Sequence, residues 1–182
     1  MMSHMASPAT LLEEAKKMES YGAEGFIFMD SLGNYLPRDV TERVEMLVNG
    51  LSIPVGFHGH NNLGMAVANS VAAVDAGVLM LDACARGFGA VAGNTQLQVL
   101  IAVLDRLAYH TGVNFYKCLD AADFAEKTLM KVVPPISYTS VVSGLSGVFS
   151  GFMKPVERIS KQFALDLRDI FFELGRRKII AG

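Results

Sequence analysis

The chain has 182 residues, with 16 Lys plus Arg against 18 Asp plus Glu, a net charge of −2 and 51% hydrophobic residues. That charge balance excludes a surface built to neutralise nucleic-acid phosphates, and that apolar content excludes a disordered chain. Cys84 and Cys118 are too few for a disulfide framework, and no signal-peptide pattern opens the chain. Asn69, Asp75, the Pro134–Pro135 pair and several glycines break the apolar stretches short of the roughly 18 residues a membrane span needs. A cytoplasmic protein without a membrane span is expected.

The first five residues, MMSHM, read as the tail of a strand. From Thr10 to Ser20, Leu11, Leu12, Ala15 and Met18 share one helical stripe, closed by Gly22. GFIFMD (Gly25 to Asp30) reads as a strand buried on both faces. A helix follows from Pro37 to Gly50, with Val40, Val44, Leu47 and Val48 at helical spacing and Pro37 in its first turn. SIPVGFHGH is the next buried strand. Then come a helix from Leu63 to about Ala76, a strand over Val78 to Ala83, a glycine-rich loop, and a helix from Thr95 to about Tyr109.

This β-α-β-α-β-α order implies a parallel sheet with right-handed crossovers, in a doubly wound sheet or a barrel. A complete eight-stranded barrel needs about 250 residues, so the chain could hold only part of one. Beyond Gly112 the pattern turns helical, over Ala121 to Lys131, Val141 to Val156 and Ile159 to Leu174. A boundary near residue 113 divides an α/β region, 1–113, from a helical region, 114–182.

His58 and His60 are two apart at the end of a predicted strand, so both side chains face the same way. At the C-terminal mouth of a parallel sheet that direction is into the ligand site. Two imidazoles there can bind a divalent cation, with a carboxylate as third ligand. The alternative is one hydrogen-bonded structural His and one in solvent. Asp30 ends the preceding strand at the same level and could support a ligand, while Ser31 could hydrogen-bond a substrate carboxylate or carbonyl. The commoner use of Asp-Ser after a strand is to cap the loop backbone. Asp82, ending the third strand, carries the same two readings.

The loop RGFGAVAGN, Arg86 to Asn94, could bring backbone N–H groups to an anion, or could be a tight turn at the top of a barrel. It fits neither the dinucleotide fingerprint nor a P-loop. Cys84, His4, His110 and Cys118 show no paired spacing and are expected to be packing or surface residues. Met1, Met2 and Met5 are expected in the core.

MMSHM, FMDSLG, GFHGHNNLGMAVANSVAAVDAG and LDACARGFGAVAGNTQLQVLIAVLDR, in that order, resemble the 4-hydroxy-2-oxovalerate aldolases. These are metal-dependent class II pyruvate aldolases of the group that includes hydroxymethylglutaryl-CoA lyase and isopropylmalate synthase. The resemblance implies a TIM barrel, of which this chain holds the carboxyl-terminal part, from the end of strand 5 to strand 8. A helical communication domain would follow. His58 and His60 match the family's metal-binding histidines, the first also contacting substrate, and Ser31 matches its substrate-binding serine. The family's Arg-Asp pair and catalytic His would lie in the absent half.

Asn94 matches an asparagine that helps bind the metal in the lyase branch. Phe149, in GVFSGF, stands where the aldolases carry a substrate-contacting Tyr, a loss of one hydrogen-bond donor worth about 0.5–1.5 kcal/mol. The implied activity is cleavage of 4-hydroxy-2-oxo acids to pyruvate and a short aldehyde such as acetaldehyde. The implied cofactor is a divalent metal, Mn2+ first. The implied partner is an acylating acetaldehyde dehydrogenase, and the usual setting is degradation of aromatic compounds. A different reading makes the chain a non-catalytic interaction module that docks on such a dehydrogenase. A half-barrel leaves an unpaired edge and an open apolar face, so either self-association or truncation from a longer sequence is expected, the end at Ile179 to Gly182 without a helix cap favouring the second.

Overall fold

The computed structural model describes residues 3–179. Ser7, extended ahead of Pro8, accepts the Thr10 N–H on its hydroxyl and starts α1 (Pro8–Ser20) two residues earlier than periodicity alone suggests. Gly22, at φ +93°, turns the chain into β1 (Phe26–Asp30). α2 (Pro37–Gly50) opens with Pro37 in its first turn, and the Asp39 carboxylate accepts the Leu36 N–H. β2 (Val55–Gly59), α3 (Ala66–Asp75), β3 (Met80–Asp82) and α4 (Leu97–Arg106) complete the alternation. α3 begins three residues later than expected because Gly64 takes φ +75° and the Asn61 side chain accepts the Ala66 N–H.

The strands are parallel in the order β1-β2-β3, with Phe26 opposite Val55 and Gly56 opposite Met80. Side chains on one face alternate into the core under α1, α2 and α3. Phe28 and Phe57, 1% and 0% exposed, meet Val40, Val44, Leu47 and Ala73 there. Among the described residues, the opposite face, carrying Ile27, Met29, His58 and Met80, has no helix layer on it, and Ile27 is 46% exposed. Helices on one side of a parallel sheet and an open inner side are the geometry of a segment of a TIM barrel.

The expected strand tail at MMSHM is not one. Ser3–Met5 form a single 3-10 turn, held where the Ser3 hydroxyl donates to the Met29 carbonyl; Met1 and Met2 lie outside the described residues. Met5 is exposed, not in the core, because that turn carries it away from the sheet. α5 (Phe115–Leu129) begins six residues earlier than expected because Asn114 caps it, and it packs on α4. The helix expected over Val141 to Val156 is broken. α6 (Tyr138–Ser146) stops at Gly147, φ +70°, and a 3-10 turn over Ser150–Phe152 leads into α7 (Met153–Phe163). The helix expected over Ile159 to Leu174 is likewise two, since Ala164 takes φ +51° and Asp166 caps α8 (Leu167–Arg176). α6, α7 and α8 close on a small core of Val148, Val156 and Phe171. Among the described residues no helix is long and apolar enough to cross a membrane.

Candidate metal centre

Register decides which residues share the inner face. Met29, His58 and Asp82 stand opposite one another across β1, β2 and β3, and all three point inward. Asp30 pairs with Gly59 one position on, so it points to the outer, helix-covered face. The Asp30 carboxylate therefore does not support the His58 or His60 ring. Its carboxylate accepts the Asn34 and Tyr35 N–H groups at 3.1 and 3.2 Å and caps the loop after β1. Burial pushes its pKa up to about 6, against the pull of those backbone donors.

The His58 and His60 rings face each other with centroids 5.0 Å apart at 69°. His58 is buried, and its Nδ1 lies 3.0 Å from Asp82 Oδ2. Despite that ion-pair distance, Nδ1 is a buried nitrogen without a hydrogen bond. His60 is held by its main chain, whose N–H reaches the Asp30 carbonyl at 3.4 Å and which bridges to Asn94. Burial, then the neighbouring His58, lowers the His60 pKa to about 4, leaving a neutral imidazole with a free lone pair at neutral pH.

Asn94 donates from Nδ2 to Cys84 Sγ and to the Phe88 carbonyl, and its Oδ1 is buried without a partner. Ser31, buried, stands one residue past the Asp30–Gly59 pair, as His60 does. Phe149 sits half-buried just before the Ser150–Phe152 turn. Cys84 is half-buried and Cys118 buried, and both are free thiols.

The glycine-rich loop is folded on itself. The N–H groups of Gly87, Phe88, Gly93 and Asn94 all bond to carbonyls within residues 84–90, so they are not offered to an anion. Gly93, φ +81°, lies so close to the Gly87 carbonyl that no side chain fits there. Gly33, which motif reading passed over, matters more to the site. At φ +58° it packs against the backbone of His60 and Asn62, and a Cβ there would lie 2.5 Å from the Asn62 nitrogen. A glycine two residues past a strand-ending Asp-Ser was the available signal.

Among the described residues no three His, Cys, Asp or Glu side chains form a metal-holding group. The facing imidazoles of His58 and His60, beside an orphaned amide oxygen on Asn94, still fit a divalent cation as part of a ligand set.

Residues 1–125 match the HMGL-like family, and the chain belongs to it. Residues 134–182 match the DmpG-like communication domain. A solved relative in fold, the HMG-CoA lyase of Bacillus subtilis, is 24% identical over 75% of this chain and 48% of its own, with a TM-score of 0.65. Among curated relatives, proteins named 4-hydroxy-2-oxovalerate aldolase from Pectobacterium atrosepticum and Spirochaeta aurantia are 64% and 59% identical over the whole of this chain. The chain spans about half the length of those relatives, 53% in each case.

Proposed function

We propose that the chain carries part of the active site of a lyase that cleaves 4-hydroxy-2-oxovalerate, or a related 4-hydroxy-2-oxo acid, to pyruvate and a short aldehyde such as acetaldehyde. The observation that carries the reading is the facing pair His58 and His60 on the open inner face of the sheet. Both would hold a divalent cation, Mn2+ first. Bound there, such an ion supplies Lewis acidity toward the keto and carboxylate oxygens of a 2-oxo acid.

The chain's own residues then orient the reactants. Ser31 would donate to the substrate carboxylate or carbonyl, and the Gly33 turn fixes the main chain that carries His60. In the cleavage the 4-hydroxyl loses its proton, the C3–C4 bonding pair passes to C3, and C3 takes a proton to give pyruvate as the aldehyde departs. The base and the Arg-Asp pair would belong to the rest of the relatives' length. The helical region, which we place from residue 114, would dock an acylating acetaldehyde dehydrogenase, which fits the communication-domain match. Cytoplasmic breakdown of aromatic compounds would be its setting.

Manganese titration calorimetry on this chain, beside His58→Ala and His60→Ala, tests the half-site. Binding that is lost in both variants supports it, and no binding to the unmutated chain overturns it. Phe149, without the hydroxyl of the tyrosine that the resemblance puts there, favours a second reading, a non-catalytic module that docks on the dehydrogenase. Co-elution with the dehydrogenase, with neither metal binding nor turnover, would select that reading.

A further inference from the structure

Asp30 and Asp82 end the two strands that flank β2, yet only Asp82 shares a face with the histidine pair. Asp82 is the register partner of His58, its carboxylate lies 3.0 Å from Nδ1, and its side chain is half-exposed beside a ring that is 10% exposed. Nothing else among the described residues bonds His58 Nδ1. His58, His60 and Asp82 do not converge as a three-ligand group, so the carboxylate addresses the ring and not an ion shared by all three.

We infer that Asp82 is a positioning residue that keeps the proton of His58 on Nδ1 and so turns the Nε2 lone pair toward the space it shares with His60. Which imidazole nitrogen carries the proton is set by the partner of the other nitrogen. Nδ1 and Oδ2 are already at hydrogen-bond distance, so what the contact lacks is alignment of the N–H with the carboxylate. The inference rests on the metal reading above for its purpose, but the tautomer can be observed without any metal.

The experiment uses the full chain, labelled with 15N, and its Asp82→Ala and Asp82→Asn variants. Long-range 1H–15N spectra above pH 7 report which ring nitrogen of His58 is protonated, and calorimetry with Mn2+ alone reports affinity. The expected result is a protonated Nδ1 in the unmutated chain, a proton moved to Nε2 in Asp82→Ala, and rescue in Asp82→Asn, whose amide oxygen still accepts. Manganese affinity is expected to fall about 10–100-fold in Asp82→Ala and less in Asp82→Asn. A proton already on Nε2 in the unmutated chain, or a tautomer unchanged in Asp82→Ala, overturns the inference. Complete loss of manganese binding in both variants also overturns it, by making Asp82 a ligand. The expected tautomers with no manganese binding to the unmutated chain would leave the positioning contact standing and remove the metal reading.

Discussion

Gly33→Ala should damage both stability and the candidate metal site, for two separable reasons. At φ +58° an L side chain meets its own backbone, which costs about 1–2 kcal/mol. Independently, the new Cβ would lie 2.5 Å from the Asn62 nitrogen, 2.8 Å from the His60 carbonyl carbon and 2.9 Å from its oxygen. All three are backbone atoms and cannot rotate away. Reaching ordinary contact at 3.4 Å requires the His60–Asn62 segment to retreat by 0.9 Å, and overpacking of that kind costs about a further 1–3 kcal/mol. Gly22→Ala is the control, since it takes φ +93° but has nothing within 4 Å of its Cβ, and should show the first cost alone. Urea unfolding at fixed pH measures the two losses, and manganese calorimetry reads the displacement of His60, which Gly22→Ala leaves in place. Equal losses in the two variants, or a Gly33→Ala protein that binds manganese as the unmutated chain does, would refute the argument that this turn sets the histidine's position.

Asp30 should make stability fall as pH rises. Its folded pKa of about 6 stands above the ordinary 3.8, so the folded chain holds the proton more tightly; that contribution is complete below about pH 4 and lost as pH passes 6. The difference is about 3 kcal/mol across that window, and urea midpoints between pH 4 and 6.5 should lose this slope in Asp30→Asn. An unchanged slope would place the linkage elsewhere. Gly175→Ala gains about 1 kcal/mol of helix propensity, but the Ser146 carbonyl of α6 already occupies the position of its Cβ. Overpacking of about 1–3 kcal/mol should win, lowering the urea midpoint; a raised midpoint would show that α6 and α8 do not approach this closely.

Much of the fold was legible in the chain because its causes are local. A repeat of 3.6 residues at Val40, Val44 and Leu47 and a run of large apolar residues at Phe26–Met29 act over one turn or one strand, so the three strands and the helices between them could be placed in order. The shared direction of His58 and His60 follows from the two-residue period of a strand, and their facing rings agree with it. The helical region was less legible because its breaks depend on Gly147 and Ala164 adopting left-handed backbone, and Ala164 has no composition signal for that.

The roles of the carboxylates were decided only by tertiary structure. Asp30 and Asp82 each end a strand, and nothing within either strand says which face its last residue takes relative to a neighbour. Pairing with β2 sets Asp30 beside Gly59 on the helix side and Asp82 beside His58 on the open side. One capped a loop and the other met an imidazole because a register shift of one residue exchanges the two faces of a strand. The type of each residue and its rank along the strand were in the sequence; the partner across the sheet was in the pairing of segments about 25 residues apart.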